Sequence, residues 1–309
     1  MSAPLPYVND AVRTRDFKFY IFDWDDNILH MPTKIKLEHR RPDGVWEPVS
    51  VSTSTFALVR GDTENYRAPS DGGWNAAFSC FADAPDTTHL IEDTIAALEK
   101  VEHGERPGPS FEALRTTLRE GRIFAIVTAR GHSPETVRKA VRVFIRYALS
   151  EAERAEMMSN LRGYRRWLDK VETFGTDAEE LDYYLSMCRY SAVTNSDFRR
   201  RMANDPLYRE KLAQAPTAAH PELAKEFAIR DFVEHVYHIL QRTGGLNRAI
   251  SIGFSDDDAG NVRTVCDYIR RELSRRFDNI KFVVYDTSDR TLDKGRKICV
   301  SGQQNLPGF

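Results

Sequence analysis

Acidic side chains gather directly after apolar runs at two places in this chain. In Phe19-Tyr20-Ile21-Phe22-Asp23-Trp24-Asp25-Asp26-Asn27-Ile28-Leu29, four apolar or aromatic residues run into three carboxylates within four positions. A buried parallel strand reads this way when its carboxyl end opens onto a site. Asp23 and Asp25 are two apart, so on an extended chain they share a face and can be aimed at one ligand. Carboxylates packed this closely repel one another unless a cation lies among them, and Mg2+, a hard ion that takes oxygen ligands, is the natural neutraliser. The second place is the apolar run from Arg248 to Phe254, followed by Ser255-Asp256-Asp257-Asp258-Ala259-Gly260-Asn261. Between them, Arg122-Ile123-Phe124-Ala125-Ile126-Val127 ends in Thr128-Ala129-Arg130-Gly131-His132, and Ser133-Pro134-Glu135 opens a helix. A hydroxyl at such a strand end, beside a helix amino terminus, can hydrogen-bond a phosphoryl oxygen.

In this order the three stretches resemble the motifs of the haloacid dehalogenase (HAD-like) superfamily. Its first motif is usually Asp-x-Asp-x-Thr or Val, its second an apolar strand ending in Ser or Thr, its last a strand ending in Gly-Asp-x-x-x-Asp or Asp-Asp. The resemblance implies that Asp23 is the nucleophile taking a phosphoryl group, that Asp25 is the general acid/base, and that Thr128 contacts the phosphate. It implies Mg2+ held by Asp23, the backbone carbonyl of Asp25, and Asp257. It also implies a cation at the amino end of the helix before the last motif, where Lys225 stands, with Arg230 and Lys170 as rivals. Arg130 and His132 share a loop with Thr128, and Arg130 is the expected substrate contact. With Asp257 on the family's first acid, Asn261 falls on the second, and Asp256 replaces the Gly, so Asp256, Asp257, Asp258 and Asn261 all stay candidates for the metal. An Asp at position 25 favours phosphatase chemistry over dehalogenation. The expectation is therefore a Mg2+-dependent phosphoric monoester hydrolase working through an aspartyl phosphate. Its substrate would be a phosphorylated metabolite, nucleotide, phosphoprotein or nucleic acid end. The alternative is a catalytically quiet domain of the same fold that binds metal or protein. Asn261, Asp256 and the separation of Lys225 from the last strand feed that alternative.

The elements that must position these groups read as strands alternating with helices. Four strand-like runs, at Phe19–Phe22, Arg122–Val127, Arg248–Phe254 and Lys281–Asp286, argue an α/β, Rossmann-like doubly wound parallel sheet covered on both faces. Lys34–Glu38 and Val49–Thr53 alternate around Pro42-Asp43-Gly44 and read as a β-hairpin, which the family places as a flap over its site. Gly61–Ala84 reads as a long loop, part of a small cap or plain surface. Helices are expected from Thr88 to Val101, from the Ser110 cap to Arg119, from Pro134 to Leu149, from His220 to the Gly244-Gly245 stop, and from Asn261 to Arg276. This divides the chain into a first core part at 16–149, with flap and cap over about 30–108, a helical insertion or second cap at 150–218, and a second core part at 219–309. In the insertion the Arg runs at Arg162–Arg166 and Arg199-Arg200-Arg201 read as solvated faces among interspersed acids, or as a grip for phosphates and bases. The polar tail after Asp289 is expected to fray or to pack on the core.

The balance of 44 basic and 46 acidic residues gives a net charge of -2, so no global field draws in nucleic acid or an anionic membrane. Cys80, Cys188, Cys266 and Cys299 have neither metal-binding nor disulfide spacing. With no apolar run of membrane length and no leader-like start, a cytoplasmic protein without membrane partners is expected.

Overall fold

The computed structural model describes residues 7–85, 89–216, 220–289 and 291–301, apart from the side chain of Cys299. In chain order the elements begin with β1 (Phe17–Phe22), β2 (Ile35–Arg40), β3 (Trp46–Val51), α1 (Thr53–Val59), β4 (Tyr66–Arg67), α2 (Gly73–Ala77), α3 (His89–Glu102) and α4 (Phe111–Arg119). Next come β5 (Phe124–Thr128), α5 (Pro134–Ala148), α6 (Glu151–Leu168), α7 (Asp177–Met187), β6 (Arg189–Ala192), α8 (Ser196–Asn204) and α9 (Pro206–Gln214). The last are α10 (His220–Thr243), β7 (Ile250–Asp256), α11 (Ala259–Tyr268), β8 (Ile280–Asp286) and β9 (Arg296–Ser301).

Six strands form the central sheet in the order β6-β5-β1-β7-β8-β9, all parallel except the β8/β9 pair. The chain steps outward from β1 to β5 and β6, then returns to β7 on the other side, so the winding reverses beside β1. Parallel strands need crossover helices, and these cover both faces. Alternation along the strands divides the core in two. Phe17, Phe19 and Ile21 of β1, with Ile252 and Phe254 of β7, face α10 and α11. Phe22, Phe124 and Ile126 face the other way, against Leu98, Leu114 and Phe144 of α3, α4 and α5. The expected α/β architecture with a mostly parallel sheet is the one observed.

Two strands depart from expectation. β6 lies within the stretch read as helical and pairs with β5 as an edge strand, so 150–218 contributes to the central sheet as well as supplying helices. β9 comes from the polar tail and pairs antiparallel with β8, so Arg296–Ser301 of the tail pack on the core. Both are edges, where charged and polar residues are normal.

The hairpin forms as β2/β3, turning through Gly44 at φ +84°, and β4 adds a third strand to this small sheet. Thr53, read as a strand end, instead opens α1, and Gly61–Ala84, read as a long loop, holds β4 and α2. Ser52 caps α1 by accepting from the Thr55 amide, which ends β3 at Val51. Ile35, Leu37, Val51, Ala77 and Phe81 form a separate core under this sheet. The helix expected from Thr88 runs over His89–Glu102, and Thr88 lies outside the described residues.

Candidate active site

Where a parallel sheet reverses its winding, the loops at the carboxyl ends diverge and leave a crevice. β1, β5 and β7 are neighbours there, and they end in Phe22, Thr128 and Asp256. The segment after β1 is held against β7 by Asp23 N, which donates to Ser255 O at 3.0 Å. It then folds into a tight turn in which Asn27 N donates to Asp25 O at 2.6 Å and Ile28 N to Trp24 O at 3.0 Å. Asp26 takes a left-handed φ of 57°, a conformation that Asp tolerates better than most residues.

Asn27 holds this turn in place. Its fully buried amide donates to Asp23 O at 3.1 Å, Ser255 O at 3.2 Å and Ser255 Oγ at 3.0 Å, and its oxygen accepts from Thr287 Oγ1 at 2.9 Å. One side chain therefore joins the ends of β1, β7 and β8. Its partners stand 228 and 260 residues away, so nothing in the local sequence around Asn27 announces them.

The acids after β7 separate into three roles. Asp256 is 1% exposed, accepts from Lys225 Nζ at 2.6 Å through Oδ2, and takes Asn261 Nδ2 at 3.0 Å and the Asp258 amide at 2.9 Å through Oδ1. Asp258 caps α11 by accepting from the amides of Gly260 and Asn261, and it faces Arg60 at 3.5 Å. Asp257 lines the cleft, and among the described residues its carboxyl meets a backbone N–H but no side-chain hydrogen-bond partner. Asn261 directs its amide nitrogen at Asp256.

Lys225 sits in the second turn of α10 and is nearly buried, with Nζ 3.5 Å from Asp23 and 2.6 Å from Asp256. The distance in sequence that weighed against it closes in space. Of its rivals, Arg230 pairs with Asp205 and stacks its guanidinium on Tyr208, and Lys170 donates to Trp167 O at 2.8 Å.

Asp25 is gripped by Arg130, whose Nε and Nη2 lie 2.8 and 2.6 Å from its two oxygens, while Thr128 Oγ1 is 3.4 Å away. The guanidinium is 1% exposed, donates also to Thr33 Oγ1 at 2.8 Å, and lies 4.6 Å over the Phe81 ring. Its Nη1 is buried without a hydrogen-bond partner among the described residues. His132, the other polar residue of this loop, is buried outside the cleft lining, and burial followed by the charge of Arg130 pushes its imidazole down to about 4.

Burial raises Asp23 well above the ordinary carboxylate range; Lys225 opposes the shift, and Asp256, Asp257 and Asp25 add to it. Asp257 rises to about 7, chiefly by burial and then by the charges of Asp256 and Asp26. Among the described residues, Asp23 and Asp256 pair with Lys225 and Asp25 pairs with Arg130, while Asp26 and Asp257 add further negative charge, so the carboxylates outnumber the cations paired with them. That excess suits a divalent cation. Among the described residues no three His, Cys, Asp or Glu side chains cluster as a ready-made metal cage. A hard ion here would draw on two carboxylates, Asp23 and Asp257, on the second lone pair of the Asp25 carbonyl, and on water, as Mg2+ commonly does.

These groups form the floor of a cleft of about 1540 Å³. One wall is the small sheet with α1 and α2, through Thr53, Phe56, Arg60, Trp74 and Phe78; the other includes Asn195 and Arg199 at the start of α8. Thr53 Oγ1 donates to Asp26 Oδ2 at 2.7 Å, and Gly131 N donates to Phe81 O at 2.7 Å, so the segment carrying the small sheet is tied to the loops after β1 and β5. No protein-family model, curated protein or solved structure significantly matches this chain. No described helix is long and apolar enough to cross a membrane.

Proposed function

We propose that the protein is a Mg2+-dependent phosphatase of the HAD-like type, forming an aspartyl phosphate on Asp23, with the small sheet as its flap. The observation that carries this reading is the convergence of Asp23, Asp25, Thr128, Lys225 and Asp257, drawn from four separate elements, on one cleft at the sheet's switch point.

The chemistry follows from what each group can donate. A carboxylate oxygen of Asp23 attacks phosphorus in line, the bond to the leaving oxygen breaks, and that oxygen takes a proton from Asp25. In the second step Asp25 removes a proton from water, the resulting oxygen attacks phosphorus, and the acyl phosphate bond breaks to free Asp23 and inorganic phosphate. The paired Nε and Nη2 contacts of Arg130 fix the plane of Asp25 for both transfers. Lys225 and Thr128 offset charge growing on the transferring oxygens. Bound at Asp23 and Asp257, Mg2+ would supply Lewis-acid stabilisation of that charge.

Hydrolysis of acetyl phosphate and p-nitrophenyl phosphate with Mg2+ and with a chelator tests the reading. Turnover that needs Mg2+ and falls at least 1000-fold in Asp23→Asn is expected, on the order of other covalent nucleophile losses. Turnover unaffected by Asp23→Asn would overturn it. So would the lack of any thermal shift with beryllium fluoride and Mg2+, which together mimic the aspartyl phosphate.

A further inference from the structure

Two features of the cleft go unused in phosphoryl transfer to water. The first is an aromatic group on the small-sheet wall. Phe78 stacks on Trp74 with centroids 5.9 Å apart, and Phe56 meets both edge-on at 6.1 and 5.4 Å. Trp74 is nevertheless 54% exposed, and it lines the cleft. It follows Gly72 and Gly73, at φ +78° and +54°, a left-handed pair that side-chain-bearing residues rarely adopt. A turn of this kind holds the indole out in a set position instead of burying it.

The second is Arg199. Of the run Arg199-Arg200-Arg201, Arg200 pairs with Asp197 at 2.9 Å and Arg201 lies over Phe198. Arg199 lines the cleft and pairs with no acid among the described residues. The other cluster, Arg162 to Arg166, is neutralised by Asp177, Asp169, Glu180, Asp10 and Glu172, so it offers no free cationic face.

Building on the phosphatase reading, we infer that the substrate is a nucleotide with a second phosphate: its base stacks on Trp74, its second phosphate meets Arg199, and its monoester enters at Asp23. Every nucleobase has a face for stacking, and a guanidinium without an acid partner suits phosphate. A cleft of about 1540 Å³ exceeds the 300–1,000 Å³ usual for a small-molecule site and leaves room for more than one phosphate. The chemical source is either a free nucleoside bisphosphate or the phosphorylated end of a nucleic acid strand. The reaction is unchanged: the monoester P–O bond breaks, a ribose hydroxyl and inorganic phosphate leave, and water is consumed.

The experiment compares kcat/KM for glycerol phosphate, a nucleoside 5′-monophosphate, a nucleoside 3′,5′-bisphosphate, 3′- and 5′-phosphorylated trinucleotides, and a phosphotyrosine peptide. It uses wild type, Trp74→Ala and Arg199→Ala. The expected result is that bisphosphate or trinucleotide is preferred over glycerol phosphate. Trp74→Ala should then lower nucleotide kcat/KM about 5- to 150-fold through KM, leaving glycerol phosphate unchanged. Arg199→Ala should lower only substrates with a second phosphate. Preference between bisphosphate and trinucleotide identifies the source. Preference for the phosphopeptide, or nucleotide turnover indifferent to Trp74→Ala, overturns the inference while leaving the phosphatase reading intact. If no substrate is hydrolysed, calorimetric titration of the trinucleotides into Asp23→Asn decides it: binding weakened by Trp74→Ala supports the inference, and no binding overturns it.

Discussion

At the scale of single residues, the three aspartates at the end of β7, Asp256, Asp257 and Asp258, separate by what each already touches. Asp256 neutralises a buried lysine, and breaking a buried pair by removing one charge costs roughly 3–5 kcal/mol. Asp257 is held off its ordinary carboxylate range by burial and like charge, so in the absence of metal its ionised form is a liability. Asp256→Asn is therefore expected to lose about 3–5 kcal/mol in urea denaturation with a chelator present. Asp257→Asn should be neutral or slightly stabilised under the same conditions. With Mg2+ added, wild type should gain stability by mass action and Asp257→Asn should not. Equal Mg2+ effects in wild type and Asp257→Asn would remove that residue from the metal site. Lys225→Met leaves Asp23 and Asp256 facing each other uncompensated, so it should destabilise as strongly as Asp256→Asn while also abolishing turnover.

Elements place these residues, and not every element announces itself. β1, β5, β7 and β8 are legible because a strand buried on both faces must be apolar throughout, and its carboxylates then stand out at the end. β6, Arg189-Tyr190-Ser191-Ala192, has four residues and lies at an edge between helices; β9 carries Arg296 and Lys297. Neither has a period that separates it from loop, since an edge strand is specified by its neighbour and not by its own composition. The Asp23, Asp25 and Thr128 cluster was legible for the same reason as its strands. The grip of Arg130 on Asp25 and the tethering by Asn27 were not, because both link residues more than 100 positions apart. The loop before α4 shows how strictly elements constrain the site. Gly108 N donates to Ile28 O at 3.1 Å, and a Cβ on Gly108 would stand 2.5 Å from Asn27 O and 2.8 Å from Asp26 O, both backbone atoms. Gly108→Ala must push the turn after β1 aside. The expected result is a loss of roughly 1–3 kcal/mol in stability, as for overpacking, with kcat falling more than KM. Gly61→Ala, where a Cβ meets nothing within 4 Å, is the matched control and should leave both unchanged.

For the whole molecule, a net charge of -2 keeps long-range repulsion small near neutrality, so acid sensitivity has to come from particular buried groups. His132 is 2% exposed, with no partner for Nδ1 among the described residues and with Arg130, Asp83, Asp25 and His89 around it. Its folded value of about 4 lies below the ordinary 6.5. Above pH 6.5 the imidazole is neutral folded and unfolded, and its contribution to stability is fully present. As pH falls below 6.5 the unfolded chain takes up the proton and the folded protein does not, so stability drops until the folded group titrates near 4. The slope is about 1.4 kcal/mol per pH unit, giving roughly 2 kcal/mol between pH 6.5 and 5. Urea denaturation of wild type and His132→Asn at pH 7.5 and pH 5.0, with a chelator in both, isolates this part from all other titrations. The variant should lose about 2 kcal/mol less than wild type over that interval. Identical losses would mean that His132 takes up its proton in the folded state near its ordinary value.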